Sequence, residues 1–210
     1  GLPPTLVPRL EAVGGYRAPA SGEAPVSLAS WRLETPQGVV SVLARVAPAA
    51  PDHTNRTNKL ATYLVLGADE QCDAGPAWLL RHAPLRTEWS GQPMWIEQPV
   101  ALPAAPAHGP ARCEAWQRAC GDAGWAGVLA SAFLRDMGRP VHIVYAPGTD
   151  ALALADEAAR LLPPWARWRA TFCTYFLQPV AGAPCCWRFC LDGTPAAEAA
   201  RQSKGLVLDL

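Results

Sequence analysis

Three extended segments follow one another between Val26 and Leu66, joined by a Pro-Gln-Gly turn and a polar connection, and nothing else in the chain narrows the fold as much. Val26, Leu28, Ser30 and Arg32 alternate with Ser27, Ala29, Trp31 and Leu33, a period of two that reads as a strand. Pro36-Gln37-Gly38 supplies turn chemistry, and Val39 to Val46 makes a second strand. The polar residues from Asp52 to Asn58 separate it from a third, Leu60 to Leu66. Consecutive strands on short connections commonly pair with one another as antiparallel neighbours. An antiparallel meander is therefore predicted.

The rest of the chain reads as short helices around three further strand regions. Thr5 to Val13 is helical and is stopped by Gly14-Gly15; Gly75 to His82 is helical too. Thr87 to Pro110, broken by Pro93, Pro99, Pro103, Pro106 and Pro110, is the longest irregular stretch. It divides the chain into a strand-rich part (1–86), a Pro-rich connection (87–110) and a helical and hairpin part (111–210), an arrangement also compatible with one continuous domain. Arg112 to Cys120 and Ala123 to Met137 read as helices, the latter with Trp125, Val128, Leu129, Ala132 and Phe133 on one face. Pro140 to Tyr145 is a buried-strand pattern. Pro147-Gly148 makes a turn, Thr149 or Asp150 caps, and Ala151 to Leu162 continues as an Ala-rich helix. Ala170 to Gln178 and Cys185 to Leu191 read as a hairpin around Pro179 to Pro184, with Cys173 opposite Cys190 and Gln178 opposite Cys185. Trp187 and Phe189 are then buried and Arg188 points the other way. A last helix from Thr194 to Ser203 and a strand from Leu206 to Leu210 complete an α+β fold: meander, C-terminal hairpin and several short packed helices.

Charge excludes two classes of partner. Lys+Arg and Asp+Glu are both 18, so the net charge is zero and the basic excess of a nucleic-acid domain is missing. The same balance gives no attraction to an acidic membrane surface, and no run reaches the roughly eighteen apolar residues that a spanning helix needs. Seven cysteines without regular spacing, and no signal peptide, predict reduced thiols and a cytoplasmic location. The start at Gly1-Leu2-Pro3-Pro4 is expected to lie within a longer protein.

The most site-like segment is Asp52-His53-Thr54-Asn55-Arg56-Thr57-Asn58-Lys59, which sets hydrogen-bonding side chains and one of the two lysines between apolar strands. It reads either as a recognition loop, with Asn55, Arg56, Asn58 and Lys59 as its binding residues, or as a connection whose side chains satisfy their own turn. Four cysteines between Cys173 and Cys190 invite a metal. Cys186 and Cys190, however, stand about 13 Å apart at strand rise, and no Cys-x-x-Cys pair exists, so they are expected to be buried apolar residues. Pro147 to Asp150 has the strand–turn–helix form that can take a phosphate, but it lacks the lysine and glycines of a P-loop. Trp165-Ala166-Arg167-Trp168-Arg169 has the composition of a base-stacking patch, and is expected instead to pack over a helix-to-strand joint. Hydrolase, metalloprotease and dinucleotide motifs are absent, and no cofactor, catalytic residue or metal ligand is predicted.

Several phrases together are similar to one family: Gly1-Leu2-Pro3-Pro4 through Leu10-Glu11 to Gly15-Tyr16-Arg17, Val42-Leu43-Ala44-Arg45 with Thr57-Asn58-Lys59-Leu60-Ala61, and Gly75-Pro76-Ala77-Trp78-Leu79-Leu80. They resemble the N-terminal domain, type two, of the bacterial GTPase-associated protein one family and related planctomycete-type proteins. Similar segments recur at Gly124 to Leu129, Pro147 to Asp150, Thr171 to Phe176 and Cys186-Trp187-Arg188, so the resemblance spans most of the chain. Relatives carry a histidine near where this chain has Thr62-Tyr63, and a serine where Cys173 stands. The resemblance implies a non-enzymatic adaptor beside a GTPase in bacterial conflict systems, with a protein partner, a GTPase among the candidates, and no catalytic residues to carry over. The alternative from the residues alone is a nucleotide- or phosphate-binding enzyme domain using Pro147 to Asp150, or a cysteine-dependent hydrolase.

Overall fold

The alternation in the first third of the chain becomes three long antiparallel strands: β1 (Ser27–Thr35), β2 (Gly38–Ala49) and β3 (Asn58–Leu66). The computed structural model describes residues 3–19, 22–50, 58–89, 92, 100–105 and 112–210. Pro36 and Gln37 alone separate β1 from β2, and Thr35 faces Gly38, whose φ of 124° lies in the region that glycine tolerates best. Thr35 Oγ1 donates to the Gly38 carbonyl and accepts from Gln37 N, which fixes the turn and hence the register.

Around the strands stand α1 (Val7–Val13), α2 (Pro76–His82), α3 (Glu114–Cys120), α4 (Gly124–Arg135), α5 (Ala151–Arg160), α6 (Pro164–Arg167) and α7 (Pro195–Arg201). The remaining strands are β4 (Val141–Tyr145), β5 (Phe172–Cys173), β6 (Trp187–Leu191) and β7 (Leu206–Asp209). Among the described residues the strands make one seven-stranded sheet in the order β3-β2-β1-β5-β6-β4-β7. Strands from before the proline-rich stretch thus sit in the same sheet as strands from after it. The four from β5 to β7 are mutually parallel, and β1 joins them antiparallel to β5.

The α+β class stands, but the C-terminal hairpin does not. β5 and β6 run parallel, with Phe172 opposite Trp187 and Cys173 opposite Arg188, so neither Cys173–Cys190 nor Gln178–Cys185 is a cross-strand pair. The physical reason lies after Cys173. Thr174 N still donates to the Leu28 carbonyl, but Leu28 N donates to Thr174 Oγ1 and the Thr174 carbonyl accepts from Tyr145 Oη, so the ladder stops there. Thr174 to Cys186 then has the length to return to the start of β5, where Cys186 N and Trp187 N both donate to the Thr171 carbonyl. Within β6 the predicted alternation holds: Trp187 and Phe189 are fully buried on one face, and Arg188 lies on the other against the Phe176 ring.

Two apolar layers sandwich the sheet. On one face Phe172, Trp187, Phe189, Leu191 and Ile143 pack against α2 to α6; on the other Ala29, Trp31, Leu33, Cys173 and Cys190 pack against α1 and α7. Helix α4 turns a different face inward from the one predicted. Ala126, Leu129, Ala130 and Phe133 are buried, while Trp125 and Val128 are exposed. The i, i+3, i+4, i+7 spacing is the same, but two alanines on the inner face let α4 approach the Ala-rich α5 closely, which a tryptophan there would prevent. No helix among the described residues is long and apolar enough to cross a membrane.

Candidate functional site

The connection β4–α5–α6–β5 passes beyond β6 in one direction along the sheet, and β6–α7–β7 passes beyond β4 in the other. Crossovers of one handedness that run in opposite directions put their helices on opposite faces, as α5 and α7 are found. The chain therefore parts between the carboxyl ends of β4 and β6, and sheets with such a switch point bind ligands in the crevice left there. A cleft of about 900 Å³ occupies that position.

Its floor and walls come from two similar junctions. Tyr145 ends β4 and Pro147-Gly148-Thr149-Asp150 leads into α5; Leu191 ends β6 and Asp192-Gly193-Thr194-Pro195 leads into α7. Each junction turns on a left-handed glycine, Gly148 (φ 86°) or Gly193 (φ 75°), and then supplies a helix cap. Asp150 accepts from Ala153 N at 2.9 Å, and Thr194 Oγ1 accepts from Ala197 N at 3.4 Å. The far wall is Tyr175, whose hydroxyl donates to the Arg17 carbonyl at 2.9 Å and whose ring leans on Tyr16, 5.6 Å between centroids.

The two junction carboxylates of the cleft are already answered, whereas the exposed Arg17 and Glu23 in its lining have no side-chain partner among the described residues. Asp150 pairs with Arg81 at 3.0 Å, and Asp192 with Arg201 at 2.8 Å, while Arg201 also holds Asp209. The hydrogen bonds from Arg201 and from the Gly193 backbone hold the Asp192 carboxyl below the usual carboxylate range. Burial, with Tyr175 nearby, raises the Tyr16 phenol to about 12, and burial first among its causes raises Tyr145 further. These groups are hydrogen-bond donors and fixed acceptors, not acids or bases poised near neutrality. Among the described lining residues there is no histidine, cysteine or lysine, and Glu23 at the exposed rim is the one carboxylate left over. The arrangement offers hydrogen-bond donors and acceptors that can recognise a bound group.

Of the predicted site residues, Asn58 and Lys59 lie at the same end of the sheet, on its edge. Asn58 and Lys59 begin β3 opposite Ala49 and Pro48, and the register from β3 through β1 to β5 brings that end level with the cleft. Both side chains turn to local work: Asn58 Oδ1 accepts from Lys59 N at 2.9 Å, and Lys59 Nζ donates to the Gly14 carbonyl, tying β3 to the end of α1. Asn55 and Arg56 lie outside the described residues.

The alternatives from the sequence meet specific obstacles. At Pro147 to Asp150 the carboxylate of Asp150 takes the helix amide that an anion would use. Cys173 and Cys185 are buried, and burial pushes both thiols up; Cys190 rises to about 12 by burial with Cys173 nearby. A nucleophilic cysteine needs the opposite shift. The described histidines bond elsewhere, His82 to the Trp78 carbonyl and His142 to Arg188. The tryptophan–arginine run divides: Trp168 is buried with its indole N–H on the Cys72 carbonyl at 2.7 Å, as packing predicts, whereas Trp165 is 59% exposed beneath the Arg169 guanidinium.

Two family models match the chain. Residues 1–103 match GTPase-associated protein 1, N-terminal domain type 2, and residues 113–210 match GTPase-associated protein 1, middle domain. The phrases from Gly124 onward thus fall in a second domain type of the same protein. No curated protein and no solved structure matches the chain.

Proposed function

Because the chain belongs to the GTPase-associated protein 1 family, joining its N-terminal domain type 2 to its middle domain, we propose that it is a non-catalytic adaptor, binding a protein partner in a GTPase-linked bacterial conflict system. One observation carries the non-catalytic part. The cleft at the switch point, where an enzyme of this architecture would place its reacting groups, has its two junction carboxylates paired with arginines and holds no described histidine, cysteine or lysine. The partner approaches the carboxyl edge of the parallel strands. There Tyr175 and the two Gly-Thr junctions offer aromatic and peptide surface. Asn55, Arg56 and Asn58, from the run Asp52 to Lys59, are proposed as further donors and acceptors. Lys59, bonded to Gly14, anchors the base of that run.

Affinity capture from the native host, with cross-linking and mass spectrometry, tests the proposal. The tagged protein is expected to retain a GTPase, and a folded Asn55→Ala/Arg56→Ala variant to retain less of it. Equal recovery with the variant removes the run as a contact surface. Absence of any GTPase from the cross-linked set removes the adaptor role.

A further inference from the structure

At the opposite end of the sheet, where the parallel strands begin, we propose a second binding surface that takes an acidic peptide segment of a protein partner. The proposal stands independently of the GTPase-linked role. A groove of about 460 Å³ lies there between the end of β1, the turn before β4 and the joint between α6 and β5. Arg9, Arg32 and Arg169 line it against a single carboxylate, Glu34. Arg9 is occupied: its guanidinium donates to the carbonyls of Glu34 and Gly182. The other two are not. Arg32 is half-buried and has no hydrogen bond or ion pair among the described residues, so it has lost part of its hydration without gaining a partner. Arg169 is exposed, its guanidinium 5.9 Å from the centroid of the Trp165 ring, with no hydrogen bond among the described residues.

An oxyanion placed between Arg32 and Arg169 would answer both charges. The planar guanidinium matches a carboxylate with two parallel hydrogen bonds, which makes arginine the residue suited to this recognition. Trp165, exposed beside Arg169, adds an aromatic surface on which a neighbouring side chain of the same segment can rest. A nucleic acid fits less well. Its affinity grows with the number of phosphates neutralised, and this groove offers two guanidiniums without a hydrogen bond among the described residues, on a chain of zero net charge. A short acidic peptide needs no more than that.

Fluorescence anisotropy with a labelled hexaglutamate peptide on the purified chain tests the proposal. The peptide is expected to bind at low salt and to weaken as salt rises. Arg32→Gln and Arg169→Gln should each weaken it about two- to fivefold, the range of one exposed ion pair. Glu34→Gln should tighten binding, a change that loss of folding cannot imitate. If Arg32→Gln unfolds the chain, the exposed positions Arg169 and Glu34 decide the matter alone. No binding up to about 1 mM peptide, affinity indifferent to Arg169→Gln and Glu34→Gln, or tighter binding of an oligothymidylate of equal charge would each overturn the assignment.

Discussion

Asp150 has two jobs at the mouth of the cleft, and two substitutions separate them. Its carboxylate caps α5 by accepting from Ala153 N at 2.9 Å, and it pairs with Arg81 at 3.0 Å, with roughly half of each side chain exposed. Replacing a good N-cap by alanine costs about 0.5–2 kcal/mol. An ion pair this exposed contributes about 0.2–1 kcal/mol. Asp150→Ala loses both and should destabilise the fold by about 1.5 kcal/mol. Asp150→Asn keeps a side-chain oxygen at the cap and loses only the charge, so about 0.5 kcal/mol is expected. Urea unfolding followed by tryptophan fluorescence measures both, since Trp116 is buried and its indole N–H donates to the Leu154 carbonyl of α5. Equal costs for the two variants would mean that the charge pair, not the cap, holds this junction. No cost for Asp150→Ala would refute the capping argument outright.

Three further outcomes follow from other contacts. A Cβ on Gly14 would stand 1.9 Å from the Tyr63 hydroxyl, so Gly14→Ala should cost about 1–3 kcal/mol, and Tyr63→Phe should recover part of it; an undisturbed melt for Gly14→Ala would contradict the packing described at the end of α1. Iodoacetamide at pH 8 should label half-exposed Cys72 and Cys120 in the native protein and leave Cys173, Cys185 and Cys190 untouched until denaturant is added, which peptide mass spectrometry reads directly. Asp192 titrates below its ordinary range when folded, so its pairing with Arg201 stabilises above that range and is lost as pH falls through the lowered value. The stability gap between wild type and Arg201→Ala should therefore shrink as melts move from about pH 6 to pH 2.

What could be read from the sequence was local. The meander was legible because Ala29, Trp31 and Leu33 alternate with Leu28, Ser30 and Arg32, and because the Pro36-Gln37-Gly38 turn sets the register by itself. The cap at Asp150 and the burial of Trp187 and Phe189 were legible for the same reason. The pairing of β5 with β6 was not. Two apolar strands flanking a Pro-Gly loop look like a hairpin, and only the bonds of Thr174 to Leu28 and Tyr145, distant in sequence, show that the chain leaves the strand early. The start of α3 was hidden similarly: its cap position, Cys113, is left-handed, and the amides of Ala115 and Trp116 are satisfied by Glu157 from α5. The cleft itself was half visible. Pro147 to Asp150 stood out, but Asp192 to Pro195 acquires meaning only when β6 lies beside β4, and strand order is not written in any one segment. The local signal available was the repeat of Gly-Thr after two strands and before two helices, at Gly148-Thr149 and Gly193-Thr194.

The claim that this chain recognises a partner without catalysing a reaction is tested most directly by nucleotide binding and turnover on the purified protein. Isothermal titration with GTP and ATP, each with magnesium, and phosphate release from both over hours, are the required measurements. The account predicts no saturable heat at millimolar nucleotide and no release above buffer, in the wild type and in Asp150→Asn alike. Stoichiometric binding or steady turnover of GTP by the wild type, lost on altering Thr149 and Asp150, would contradict it.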